Sequence, residues 1–384
     1  MYHRNIRLLS IFNFLIGFTF FAPLAIIYFA KVSGSYTLGT SIFGIMMLSA
    51  AIFEVPTGIL SDKVGRRYTI ILGSWARVIA FIFYAIGISY WFLVGGAILE
   101  GLSRAFYSGN NEALLYDTLA DDGKEKEYKE QLGKTSATEF TGLTLSAVIG
   151  GLVAQISFVY VMWLAVFSQI ILLMVSFLFI EPCSRHKEDT NTHAHLREAI
   201  ALFLTNKKLR LLSLATMLDN SLSELAYQFR GAFFITLWPV WALGFASVVS
   251  NMCASMGLYF SGKILNKMKA EIAVLLRSAS DKVINIISLV FPTILSPVIM
   301  SSTSFLYGVG LVAESELRQK EFANHQRATM GSLISFGRSI GVMFMSLVLG
   351  KTADVFGPRL ALLMMTILAF SVTYIYGIIY KNKA

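Results

Sequence analysis

Gly58-Ile-Leu-Ser-Asp62-Lys-Val-Gly65-Arg66-Arg67 lies between two long apolar runs, residues 39–61 and 68–89, and its composition is that of a short helix–helix turn. Gly65 permits a tight reversal of the chain. Asp62 can accept from nearby amides or pair with a cation, and the two arginines hold one face of a bilayer. Gly58 reads as a point of close helix approach. Each flanking run is long enough to cross hydrocarbon, which takes about 20 apolar residues.

The same alternation runs through the chain. Of its 384 residues 55% are hydrophobic and 14% charged, with a mean hydropathy of +0.65. Soluble domains sit nearer 45–50% apolar and about 25% charged, and single soluble cores stop growing at about 250–300 residues. Lipid is therefore the solvent for most of this surface. Hydropathy predicts twelve spans at 6–30, 39–61, 68–89, 91–117, 135–156, 158–180, 209–236, 240–262, 271–291, 293–314, 329–350 and 359–380. If the chain starts in the cytoplasm, twenty-three Lys and Arg fall on inner loops and ends, and only Lys31, Lys351 and Arg359 fall outside. That asymmetry puts both termini in the cytoplasm. It also accounts for the net charge of +9 without nucleic acid. Ile6–Ala30 is too long for a signal-peptide core and reads as the first span. Cys183 and Cys253 imply no disulfide framework. The lack of any Asn-x-Ser/Thr acceptor points to a bacterial cytoplasmic (inner) membrane rather than a glycosylated surface.

The polar stretch 181–208 separates two six-span halves, 1–180 and 209–384. It reads as a solvated cytoplasmic linker in which residues 194–206 are amphipathic enough to lie on the membrane surface. His186, His193 and His195 read as part of that loop rather than as a metal site. Equal halves joined by one long loop suggest an internal duplication, the architecture of transporters whose halves rock against each other.

Polar residues within the spans are the candidate site, because ionisable groups at membrane depth are costly and usually serve a function. In span 4, Glu100, Arg104, Ser108, Glu112 and Tyr116 recur every four residues, with Asn110 and Asn111 beside them. In span 7, Asn220, Glu224 and Gln228 share a face, flanked by Asp219, Ser223, Tyr227 and Arg230. Glu54 precedes Pro56 in span 2 and has either a structural partner in Arg77 or a protonation role. Asn13 and Arg338 also fall within spans. Glu224, Glu100, Glu112, Arg104 and Glu54 are the candidates for proton coupling. Asn13, Asn111, Asp219, Asn220, Tyr227, Gln228 and Arg338 are the candidates for a solute cavity. No arrangement for hydrolysis or redox chemistry, no nucleotide-binding loop and no metal or cofactor site is evident, so no enzyme is expected.

The turn at 58–67 resembles the signature loop between helices 2 and 3 of the major facilitator superfamily. A weaker echo, Gly350-Lys-Thr-Ala-Asp354-Val-Phe-Gly357-Pro-Arg359, follows span 11. The loop after span 8, Gly262-Lys-Ile-Leu-Asn266, keeps the glycine and loses the acid. The resemblance covers essentially the whole chain and implies two six-helix bundles. It also implies a conformational latch made by Gly58, Asp62, Gly65, Arg66 and Arg67, with Asp117 as partner. The Arg104-Ala-Phe-Tyr-Ser-Gly run resembles the span-4 arginine motif of proton-coupled facilitators. In span 5, Gly142, Ser146, Gly150 and Gly151 keep the small residues of the drug-exporter motif, but Ala147 stands where those exporters have proline. The expectation is a monomeric transporter of the drug-exporter-like branch, exporting a small amphipathic compound in exchange for protons. Its alternatives are a proton-coupled nutrient symporter and a membrane sensor without turnover.

Overall fold

The computed structural model describes residues 2–183, 207–321 and 327–381, which are helical with no strand among them. The three linker histidines and the stretch 194–206 lie outside the described residues. The chain divides into two compact units, Met1–Glu188 with Val240–Gly244, and Asp189–Pro239 with Phe245–Ala384. Among the described residues, eight helical stretches are long and apolar enough to cross a membrane. Tyr90–Tyr107, Lys207–Phe234 and Ala270–Val290 are not among them. The first holds Glu100 and Arg104, the second Asp219, Glu224 and Arg230, and the third Arg277, Asp281 and Lys282.

The first unit contains α1 (Tyr2–Gly17), α2 (Ala25–Ser33), α3 (Tyr36–Val64), α4 (Arg66–Ile86), α5 (Tyr90–Tyr107), α6 (Asn110–Asp121), α7 (Tyr128–Ala154) and α8 (Phe158–Ser176). Two runs expected as continuous spans are broken. The run 6–30 stops being α-helical after Gly17, and Pro23 sits in a short 3-10 turn, Ala22–Leu24, before α2. Proline supplies no N–H, and Phe20 adopts a left-handed φ of 64°. Leaving the helix after Gly17 takes the i+4 donors from the Leu15, Ile16 and Gly17 carbonyls; the Phe18 and Thr19 N–H groups reach those of Leu15 and Gly17 at 3.2 and 2.9 Å, and side chains of other helices complete the set. Gln169 Nε2 donates to the Leu15 carbonyl at 3.3 Å, Arg77 to that of Ile16 at 2.8 Å, and Ser146 Oγ to that of Gly17 at 3.2 Å. Arg77 also bonds Gln169 Oε1 at 2.7 Å, so it serves the break in α1 rather than Glu54.

The second break falls in the run 91–117. The helix ends at Tyr107, and Gly109 takes a φ of 68° before α6 begins. The expected four-residue stripe is consequently split, with Glu100 and Arg104 on α5 and Glu112 and Tyr116 on α6. Ser108 and Gly109 supply the break, the glycine by tolerating a left-handed backbone.

The second unit contains α9 (Lys207–Phe234), α10 (Leu243–Leu265) from Phe245 onward, α11 (Ala270–Val290), α12 (Ser296–Ser302), α13 (Ser304–Glu321) and α14 (Arg327–Lys381). Gly357, with φ 83°, divides α14 into 327–356 and 358–381. The echo loop has a structural task there. Arg359 donates to the Leu289 and Val290 carbonyls at 2.6 and 2.8 Å, closing the C-terminal end of α11.

Candidate functional site

The turn between α3 and α4 assembles the expected cluster inside the first unit. Gly65 takes a φ of 103°, open to glycine alone among common residues, and this reversal aims Arg66 back along α3. The Arg66 guanidinium reaches Ser61 Oγ at 2.9 Å, Asp62 Oδ1 at 3.2 Å and Asp117 Oδ2 at 3.6 Å. Asp117 is buried, whereas the Asp62 side chain is 69% exposed, so the guanidinium lies between an inner acid and an accessible outer one. Asn110 completes the cluster by accepting from Ser61 Oγ at 2.7 Å and donating to the Arg66 carbonyl at 3.0 Å. Arg67 turns elsewhere and donates to the Phe177 carbonyl at 3.0 Å. Gly58 is exposed, and a Cβ there would meet nothing within 4 Å, which corrects the expectation of close helix approach at this residue.

Sequence reasoning missed Glu181. Its two carboxylate oxygens accept from the backbone N–H groups of Arg66 and Arg67, each at 2.8 Å, capping the N-terminus of α4. Two residues on, the Cys183 N–H donates to Asp121 Oδ2 at 2.8 Å. The only signal was an acid immediately before Pro182, in a segment whose polarity made it read as linker. Glu181→Ala is expected to cost about 1–2 kcal/mol, the upper range for a lost cap, and to loosen the chain after α8. Cys183 is exposed and free. In a Cys253→Ser background the Glu181→Ala protein should therefore take up maleimide at Cys183 several-fold faster in membranes, and equal rates would refute the cap.

Deeper in the first unit, Glu100 is buried and accepts from Arg104 at 3.1 Å and from the Tyr84 hydroxyl at 3.0 Å. The Arg104 side chain is 43% exposed. Glu54 is half-buried, Glu112 exposed and Asn111 half-buried. Asn13 is buried and donates to the Thr135 carbonyl at 3.2 Å, joining α1 to α7.

In the second unit, α9 turns Asn220, Glu224, Tyr227 and Gln228 away from its buried face. Leu222, Leu225 and Phe229 are buried, while Asn220, Glu224 and Gln228 are half-exposed and Tyr227 is 46% exposed. Gln228 Nε2 donates to Glu224 Oε1 at 3.0 Å. Asp219 leaves this group for a buried one. Lys282 Nζ donates to Asp219 Oδ1 at 2.8 Å, to Thr373 Oγ1 at 3.0 Å and to Ser278 Oγ. Arg277 bonds Glu314 at 3.0 Å, lies 4.0 Å from Asp219 and stacks 4.6 Å from the centre of the Tyr307 ring. Two cations thus meet two anions across α9, α11 and α13, with no net charge left in the core. Arg277 and Glu314 were missed, Glu314 because it ends an apolar run. Arg230 pairs with Asp281 at 3.7 Å. That leaves Glu224 and Arg338 as intramembrane charges of this unit with no ion pair among the described residues.

Long apolar helices, with ionic and amide side chains at membrane depth, define a multi-pass membrane protein of the transporter class. The family model described as Major Facilitator Superfamily matches residues 8–343, and the chain belongs to that superfamily. It is a transporter and not an enzyme. Its relatives include the class B tetracycline resistance protein of Escherichia coli, 23% identical over 325 residues, covering 78% of this chain and 76% of that protein. An uncharacterized transporter of Buchnera aphidicola is 29% identical over 174 residues, covering 45% of this chain and 43% of the relative. The chain thus matches less than half the length of that relative. In fold it is similar to the crystal structure of the nucleoside transporter NupG, with a TM-score of 0.83 at 13% identity over 98% of each chain.

Proposed function

We propose that this protein is a proton-coupled exporter of a small amphipathic organic compound, set in a bacterial cytoplasmic membrane. Twelve spans form two six-helix halves, 1–180 and 209–384, joined by the linker 181–208, with both termini in the cytoplasm. Transport proceeds by alternating access, with the Asp62, Arg66 and Asp117 cluster as the conformational latch. The protein acts as a monomer. The observation that carries the coupling is Glu224, whose side chain bonds the Gln228 amide but has no cation beside it among the described residues. With no resident counter-ion, this carboxylate can take up a proton or a cationic group from outside the protein. Glu100, by contrast, is committed to Arg104 and Tyr84. Similarity to a tetracycline resistance protein over three quarters of the chain supports the export direction.

Metabolites inside and outside cells expressing the wild type or Asp62→Asn provide the test. Compounds enriched outside only with the wild type are expected; compounds depleted from the medium would reverse the direction to uptake. Glu224→Gln should reach the membrane at wild-type levels and lose proton-driven flux. If that variant still drives solute uphill at the wild-type rate, Glu224 is not the coupling group.

A further inference from the structure

Arg338 poses a separate question, because an intramembrane guanidinium without an anion is costly to keep. Its Nε is buried with no hydrogen-bond partner. The backbone around it is fixed. Cβ atoms built at Gly337 and Gly341 would press on Met217 Sδ and Ser221 Oγ at 2.5 Å, so these two glycines let α14 lie directly on α9. Ser221 Oγ then donates to the Arg338 carbonyl at 3.0 Å, three residues along α9 from Glu224. Tyr307 lies within electrostatic reach of both Glu224 and Arg338. Its ring is held by the Arg277 stack, and the residue is 44% exposed. The second unit therefore presents a guanidinium and a carboxylate without ion pairs among the described residues, the Gln228 amide and the phenols of Tyr227 and Tyr307.

We infer that Arg338 is the anchor for an oxyanion, a carboxylate or phosphate group, carried by the transported solute. The inference rests on the transporter reading above and names the chemical class of its cargo. Guanidinium matches the planar two-oxygen geometry of such groups and remains charged at any physiological pH. The described residues supply ion-pair partners for Arg230, Arg277 and Lys282 and none for Arg338. The missing anion is therefore assigned to the ligand. The flanking phenols offer apolar faces with a polar edge, suited to an aromatic or amphipathic body attached to the anionic group. Glu224 in turn is placed to meet a cationic substituent of the same solute or the coupling proton.

The test compares external and internal metabolites of cells carrying empty vector, wild type, Arg338→Gln or Arg338→Lys, each full-length and matched for amount in the membrane. Compounds whose gradient depends on the wild type should bear a carboxylate or phosphate, and Arg338→Gln should reduce that gradient about tenfold or more, the scale of one lost charge-assisted contact. Arg338→Lys should fall between, since it keeps the charge and loses the paired donors. It also decides the matter if Arg338→Gln fails to accumulate, because an unchanged gradient in the lysine variant overturns the inference. Wild-type-dependent compounds lacking any oxyanion would overturn the Arg338 anchor and leave the transporter reading intact. Were no compound to depend on the wild type, both would fall.

Discussion

Asp219→Ala is expected to destabilise the second unit by about 3–5 kcal/mol, the usual consequence of removing one partner from a buried ion pair. Lys282 and Asp219 have side-chain exposures of only 4% and 5%, so water cannot replace the lost carboxylate. Ser278 and Thr373 would still accept from the ammonium, but neither carries charge. Arg277 is also within 4.0 Å of Asp219, and the variant would leave two cations facing the single Glu314 carboxylate. Heating the detergent-purified protein and measuring what remains soluble and monodisperse provides the comparison with wild type. Adding Lys282→Met should restore much of the loss, because replacing both charges with apolar groups is often neutral. A single Asp219→Ala variant as heat-resistant as wild type would show that the ion pair contributes nothing. The sequence suggested Asp219 as a cavity residue. Its bonds instead join α9 to α11, so impaired transport in this variant would report first on folding.

What the sequence made legible was local. The turn from Gly58 to Arg67 could be read because Asp62, Gly65 and Arg66 lie within ten residues of one another; of its distant partners the family resemblance supplied Asp117, while Asn110, Phe177 and Glu181 left no sign. The polar face of α9 followed from helical spacing. Through-space partners left no such trace. Asp219 and Lys282 are 63 residues apart, Arg277 and Glu314 are 37 apart, and Arg77 and Gln169 are 92 apart. No periodicity within one helix encodes those pairs, and Arg77 was accordingly matched with Glu54 as a candidate partner. Hydropathy also concealed the breaks. Pro23 and the Ser108–Gly109 pair sit within runs apolar enough to look continuous, and a long averaging window outweighs one or two residues. Glu181 was hidden for the opposite reason, since a polar neighbourhood made an N-terminal cap look like part of a solvated loop.

Gly150→Ala is expected to disrupt the first unit severely, whereas Gly58→Ala should leave it as stable as wild type or slightly more so. The contrast isolates close packing from helix propensity, because alanine favours a helix over glycine by about 1 kcal/mol at either site. On α7, Gly142, Ser146 and Gly150 recur every four residues and face the end of α1 and its break. A Cβ at Gly142 would run into the Phe14 carbonyl, and one at Gly150 into the Phe20 carbonyl. In return, a Cβ at Gly17 would strike the Glu139 carbonyl. Backbone lies against backbone along this seam, so no flexible side chain can move aside. Phe20 is especially poorly placed to yield, being in the left-handed region with its ring 4.5 Å from that of Phe18. Forcing atoms into such a contact typically costs about 1–3 kcal/mol and sometimes more. Separation of α1 from α7 would also remove the Ser146 donor from the Gly17 carbonyl, leaving it the Thr19 N–H alone. Heat survival of the two purified variants provides the measurement, and equal survival would show that α1 and α7 have more room than their backbones indicate. If Gly58→Ala keeps its stability but loses transport, Gly58 acts in a conformation other than the one described, because here a methyl group meets nothing.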